Sequence, residues 1–322
     1  MGYYQFEFRP YERSFTPPLR TNHGVWYLRK GIILRITDTE GQVGWGEIAP
    51  IQEFGSESFE QALAYCQQIP AEVADNPAPV LLPDMPACQF GFESAWEMLT
   101  APRSRYSLVP STYSALLPTG SLALQAWQKL WENGARTFKW KIGVDAIAQE
   151  LSLFEQLITA LPSEARLRLD ANGGFDWQQT CEWLRVCDPH NTVEFLEQPL
   201  PPEQFDLMLK LSEQYPVPIA LDESVATTDD MEACYNQGWR GIFVIKAAIA
   251  GSPARLREFC RSHEVDVVWS SAFETAVAGH FIQHYLIASL PVSPRAIGFG
   301  VDHWFDDADL DHSDFDRLWQ SL

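Results

Sequence analysis

A chain of 322 residues, 46% hydrophobic and 20% charged, is long enough for an α/β barrel plus a smaller partner domain, and its composition excludes extensive disorder. A formal net charge of −20 repels nucleic acid and anionic membrane surfaces, so neither is an expected partner, and a carboxylate substrate would need local cations to offset the global field. The six cysteines form no CxxC pair, the N-terminus MGYYQFEFRP lacks the flank and apolar core of a secretory signal, and no apolar run reaches bilayer-spanning length, so a reduced, soluble, cytoplasmic protein is expected.

From Tyr3 to about Pro50 the pattern is that of strands. YQFEF alternates, and GIILRITD and VGWGEIAP flank the turn residues Thr39 to Gln42, which predicts a hairpin. Pro17 to Gly24 carries turn formers and little periodicity, which predicts a loop of the kind that covers a site, with Arg20 a candidate substrate contact. Helical signals follow at Ser58 to Gln68 and Phe90 to Leu99, so residues 1–103 read as a small α+β capping domain.

Beyond about Tyr106, short apolar runs alternate with amphipathic stretches, the texture of βα units around a parallel sheet. Candidate strands end at Lys141 (TFKWK), Asp170 (RLRLD), Glu197 (VEFLE), Asp222 (PIALD), Lys246 (IFVIK) and Ser270 or Ser271 (VVWSS), spaced at roughly 25 residues, one βα unit each. A first strand near Ser111 to Leu117 and a last near Arg295 to Phe299 complete a closed (β/α)8, TIM-like barrel over residues 104–300. The Asp-rich segment 301–322 ends in an amphipathic piece, Phe315 to Leu322, expected to pack back on the capping domain and complete it.

In such barrels the carboxyl ends of the strands open into the active site, so a charge that closes an apolar strand reads as functional. Strand alternation puts Lys139 and Lys141 on one face, pointing into the barrel mouth, and Phe138 and Trp140 on the other, against the helices; Arg168 and Asp170 share a face in the same way. Asp170, Glu197 and Asp222, from three adjacent strands, form an all-oxygen set suited to Mg2+, with Mn2+ able to replace it, where zinc would want His or Cys. Bound Mg2+ can accept a substrate carboxylate and stabilise the charge that forms when the neighbouring carbon loses its proton. Lysine can take that proton only if its pKa falls toward neutrality, and Lys139 beside Lys141, with a divalent cation close by, supplies repulsion of the right sign. Lys246, from the far side of the metal-bearing strands, is a second base or a fixed cation.

Each residue also has a plainer reading. A lone Asp or Ser at a strand end is usually a helix N-cap, and a lone exposed Lys is usually solvated surface. A charge at one register on successive strands is different, because unpaired charges are costly in a barrel mouth. His280 and His284 are spaced i, i+4, but HFIQH is not HExxH, so they read as paired histidines on the helix after strand seven. Ser270 and Ser271 fit a second carboxylate or simple capping equally well.

Together these residues resemble the enolase superfamily, in its muconate-lactonising subgroup and, within it, the dehydratases that make o-succinylbenzoate. The resemblance spans nearly the whole chain: Lys139-Trp-Lys141, LDAN (169–172), LEQPL (196–200), LDES (221–224), VIKAAIAG (244–251), SSAFET (270–275) and, in the capping domain, GEIAPIQEFGSES (46–58). It implies syn dehydration of 2-succinyl-6-hydroxy-2,4-cyclohexadiene-1-carboxylate on the path to menaquinone or phylloquinone. Lys141 would be the base and then the acid that helps the hydroxyl leave, Lys139 would tune it, Lys246 would stabilise the enolate, and Asp170, Glu197 and Asp222 would ligate Mg2+. Ser270, Ser271, Asn172 and Arg20 are the candidate substrate contacts. Racemases and epimerases of N-acylated amino acids or dipeptides share both lysines and all three carboxylates. The strand-eight sequence Ala296 to Asp302 lacks the Asp-x-Asp usual in dipeptide epimerases, which leaves N-succinylamino acid racemase, with two-base chemistry by Lys141 and Lys246, as the nearest rival. A non-catalytic carboxylate-binding barrel is the remote one. The oligomeric state stays open.

Overall fold

The computed structural model describes residues 3–21, 24–74, 82, 84–101, 112–300 and 304–322. Its first sheet is antiparallel, built from β1 (Tyr4–Thr21), β2 (Gly24–Thr37), β3 (Val43–Ile48) and β4 (Glu72–Val73) in the order β3-β2-β1-β4. Helices α1 (Phe59–Gln68) and α2 (Pro86–Thr100) accompany it. The hairpin expected around Thr39 to Gln42 joins β2 to β3. The Pro17 to Gly24 loop, by contrast, is a correction: its described residues continue β1 and open β2, with Leu19, Arg20 and Thr21 paired to Trp26, Val25 and Gly24. A register shift between Ser14 and Leu19 absorbs Pro17 and Pro18, which have no N–H to give a ladder and are tolerated at such an irregularity.

The two faces of this sheet have different jobs. Phe6, Ile32, Leu34, Ile36 and Ile48 join the main core beneath α2. Gly44 and Gly46 let that helix lie flat on β3, since a Cβ at either would sit 2.1 Å from a helix carbonyl, of Ala95 and Gly91 respectively. The opposite face carries Tyr11, Ile33 and Trp45, which pack with Leu318 and Trp319 of the C-terminal helix α10 (Phe315–Ser321). Arg13 on the same face is buried and paired with Asp307 and Asp311.

The second sheet is parallel and curled, β5 (Ser114–Leu117), β6 (Thr137–Lys141), β7 (Arg166–Asp170), β8 (Val193–Glu197), β9 (Ile219–Leu221), β10 (Ile242–Ile245) and β11 (Asp266–Trp269) in sequential order. Helices α3 (Ala123–Glu132), α4 (Ile147–Ala160), α5 (Trp177–Cys187), α6 (Phe205–Gln214), α7 (Thr228–Asn236), α8 (Pro253–Ser262) and α9 (Ala276–Phe281) follow successive strands, and α10 (Phe315–Ser321) ends the chain. Side-chain caps start several of them: Asp176 with Gln179 and Thr227 with Asp230 form reciprocal capping boxes. The first barrel strand is shorter than expected, and Ser111 lies outside the described residues. At the eighth position the expected strand from Arg295 to Phe299 is reduced to two parallel bridges, Tyr113 to Ile297 and Ser270 to Gly298, which join the two edges of the seven-stranded sheet and close the ring. Gly298 suits this tight closure, because a Cβ there would lie 3.1 Å from Ser270 Oγ. The fold is therefore a capped (β/α)8-type barrel. Among the described residues no helix is long and apolar enough to cross a membrane.

Candidate active site

Register sets the site. Lys141 of β6 lies level with Asp170 of β7, and Asp170 level with Glu197 of β8, so three charged side chains occupy one row at the carboxyl end of the barrel. Asp222 and Lys246 come one residue after β9 and β10, at the starts of short 3-10 turns rather than inside the strands. Phe138 and Trp140 are buried outside the barrel, with Trp131 of α3 stacked on Phe138 at 6.5 Å, which turns Lys139 and Lys141 inward. Below them, Arg168 pairs with Glu194, and Arg295 bridges Glu194 to Asp266, an ionic layer beneath the mouth.

The charges are densely paired. Lys139 Nζ lies 2.8 Å from Asp170 Oδ2 and 2.7 Å from Glu197 Oε1. Lys246 pairs with Asp222, and its ammonium stands 4.2 Å from the centre of the Phe54 ring, which reaches over from the capping domain. Among the described residues Lys141 makes no ion pair. Burial alone would lower the Lys139 ammonium, but Asp170, Glu197 and Asp222 outweigh it and hold the pKa well above the ordinary value. Asp170 is lowered: burial pushes it up, and Lys139 and Lys141 more than reverse that. Glu197 is pushed up to about 8 by burial and then by Asp170. Lys141 is lowered, as its expected role needs, yet the largest cause is burial, with Lys139 a smaller contributor behind the opposing pull of Asp170. The direction is the expected one and Lys139 contributes with the expected sign, with burial the larger cause.

Asn172 stands in left-handed backbone at φ 43 and donates from Nδ2 to Glu223 Oε1 at 2.9 Å, while its main-chain N–H reaches Asp170 Oδ1 at 3.1 Å. It thus joins the site through Asp170 and Glu223. Ser270 and Ser271 reach the same end of the barrel, but the Ser271 hydroxyl is engaged within its own loop, donating to Glu274 Oε2 at 2.9 Å. Arg20 is placed only as backbone in β1, and its side chain lies outside the described residues. His280 and His284 line a pocket together with Ser271: the helix after β11 widens into a π-helix at Ile282–Leu286, their rings lie tilted with centroids 4.3 Å apart, and burial followed by the neighbouring His284 lowers His280 to about 4.

Two supporting residues were not singled out from sequence. Gln198, fully buried with φ 36, accepts from the Asp222 and Ser224 amides at 2.9 and 3.2 Å and donates to Ser224 Oγ at 2.7 Å, so it fixes the turn that presents Asp222. Glu223, pushed up to about 7 by burial and then by Asp222, crowds a fourth carboxyl into the mouth. The signal available was a polar residue directly after two of the strand-closing acids, Gln198 after Glu197 and Glu223 after Asp222.

The donor chemistry fits Mg2+: Asp170, Glu197 and Asp222 offer only oxygen, from three adjacent strand ends. Among the described residues no three ligand side chains stand ready as a cage, since lysine ammonium groups bridge the carboxylates. Asp170, Glu197 and Asp222 are the residues whose oxygens could turn to an ion.

A barrel that gathers lysines and carboxylates at its strand ends, under an α+β cap, has the architecture of enolase-type enzymes. Residues 122–316 match the family model described as "Enolase C-terminal domain-like" and residues 19–99 match "MenC, N-terminal domain". An o-succinylbenzoate synthase of Thermosynechococcus vestitus is 40% identical over 99% of each chain. The crystal structure of o-succinylbenzoate synthase from Thermosynechococcus elongatus BP-1, complexed with Mg in the active site, superposes with a TM-score of 0.89 at 40% identity, covering 99% of this chain and 100% of that one. An N-succinyl Arg/Lys racemase from Bacillus cereus shares the fold at 16% identity, with a TM-score of 0.82 over 95% of this chain and 89% of that one. The chain belongs to the o-succinylbenzoate synthase family of the enolase superfamily.

Proposed function

We propose that the protein dehydrates 2-succinyl-6-hydroxy-2,4-cyclohexadiene-1-carboxylate to o-succinylbenzoate in menaquinone or phylloquinone synthesis, with residues 104–300 as the catalytic barrel and residues 1–103 plus 301–322 as its cap. Asp170, Glu197 and Asp222 would hold Mg2+, which would supply charge stabilisation at the substrate carboxylate. The Lys141 amine takes the proton from the carbon bearing that carboxylate. The resulting ammonium hands a proton to the departing hydroxyl, which leaves as water while the ring becomes aromatic, so one C–H and one C–O bond break and the lysine is regenerated. Lys139 stays charged, holds Asp170 and Glu197 at fixed spacing, and disfavours a proton on Lys141. Lys246, on the other side of the carboxylates, remains a cation and steadies the enolate. Asn172, Ser270, Ser271 and Arg20 are assigned to substrate binding. The reaction belongs in the cytoplasm, a reading supported by six free thiols.

The observation that carries this reading is the level row of Lys141, Asp170 and Glu197 in a chain of this family. Incubation with the cyclohexadiene carboxylate and Mg2+ should develop the ultraviolet absorbance of the aromatic product. The placement of Lys246 across the carboxylates from Lys141 supports a second reading, N-succinylamino acid racemase. No dehydration, together with rapid α-proton exchange of an N-succinylamino acid, would move the assignment there.

A further inference from the structure

The loop after β11, Ser270 to Thr275, carries two of the proposed substrate contacts, yet the cap also grips it. Arg29 of β2 is 4% exposed and spends its guanidinium on four main-chain carbonyls. Three belong to the cap: Lys30 at 2.8 Å, Pro50 at 2.7 Å and Ala49 at 2.5 Å. The fourth is Ala272, in the barrel loop, at 3.1 Å from Nε. Among the described residues its acceptors are all neutral, and a buried cation so placed is an expensive way to fasten a strand.

The other end of the same loop is held by the opposite charge. Glu47 of β3, fully buried, accepts from Thr275 N at 2.9 Å, Thr275 Oγ1 at 2.6 Å, Ala278 N at 3.1 Å and, within the cap, Tyr11 Oη at 2.6 Å. Gly31 makes this possible, since a Cβ there would lie 2.4 Å from the Tyr11 hydroxyl. Between the two anchors the loop is tense: Phe273 adopts φ 59, Ala272 N donates to Glu274 Oε2 at 2.6 Å, and Phe273 N donates to Ser271 Oγ at 2.9 Å. Such a conformation persists only where its surroundings over-determine it.

We propose that Arg29 and Glu47 are positioning residues for the reaction: through Ala272 and Thr275 they fix the Ser270–Ser271 loop in the barrel mouth to the position of the capping sheet. The inference rests on the assignment of Ser270 and Ser271 to substrate binding. A lysine at position 29 keeps the charge but cannot span four carbonyls in one plane. Arg13 serves as a matched control, because it lies directly opposite Arg29 across β1 and β2, is also buried, and hydrogen-bonds the C-terminal segment, meeting the loop indirectly through the Phe305 ring against Phe273.

The experiment compares Arg29→Lys, Arg13→Lys and Thr275→Val with the parent, measuring kcat and KM separately alongside amide hydrogen exchange of residues 271–275. Arg29→Lys should raise KM about tenfold, the scale of one lost hydrogen bond, with kcat changed less than about threefold, and should speed exchange in the loop. Arg13→Lys should lower the melting temperature and leave both readouts alone. Unchanged KM and exchange in Arg29→Lys, or the same changes in Arg13→Lys, would overturn the proposal. If Arg29→Lys does not fold, Thr275→Val decides it: a raised KM and faster loop exchange support the clamp, and parental values refute it. If the parent shows no dehydration, the functional reading fails while the exchange comparison still tests the clamp.

Discussion

Binding of Mg2+ should release a proton, and the magnitude follows from Glu197. With its pKa at about 8, the Glu197 carboxyl is mostly protonated at neutral pH in the metal-free protein, because it is buried and faces Asp170. A metal ligand must be ionised, so at pH 7 binding expels close to one proton. Apparent affinity should therefore rise about tenfold per pH unit between roughly pH 6 and 8 and flatten above. Isothermal titration calorimetry at pH 7 in two buffers of different ionisation enthalpy counts the proton directly. The linkage also has a sign in the metal-free protein. A carboxyl raised from 4.5 to about 8 favours folding only while protonated, so its stabilising share is complete below 4.5 and lost as pH rises through 8. Mg2+ should reverse that loss. Affinity independent of pH from 6 to 8, with no buffer dependence of the heat, would refute the reasoning.

Lys141→Ala should abolish dehydration, by about 10³-fold or more for loss of the general base, while circular dichroism and Mg2+ affinity stay near parental values. In the parent, kcat/KM should increase with pH as Lys141 loses its proton and level off below the ordinary lysine pKa, because burial lowers that group; a profile still rising at 10.5 would contradict this. Gly46→Ala places a methyl group 2.1 Å from the Gly91 carbonyl, and should cost about 3 kcal/mol, seen as a lower melting temperature with the metal site intact.

The alternation of TFKWK and RLRLD made the inward lysines and Asp170 legible, because a strand offers only two faces and the apolar residues claim one. The βα spacing made the barrel legible for the same reason. What escaped was anything that depends on contacts between distant segments. Pro17 and Pro18 read as a loop from local chemistry, whereas pairing with β2 across a register shift extends the strand through them. The last barrel strand read as regular from its apolar run, yet among the described residues closure between the two curled edges is made by two isolated bridges. Gln198, Arg29 and Glu47 carry no motif-level signal for the partners they meet, which lie between 20 and 243 residues away for Arg29 outside its own neighbour. The weight of burial in lowering Lys141 was likewise hidden, since burial depends on what the fold packs around a strand end.

The most direct test of the central claim is a crystal structure with Mg2+ and the aromatic product bound. The account predicts one ion held by oxygens of Asp170, Glu197 and Asp222, with the ring between the Lys141 and Lys246 ammonium groups. An ion bound away from those carboxylates, or a product ring out of reach of Lys141, would contradict it.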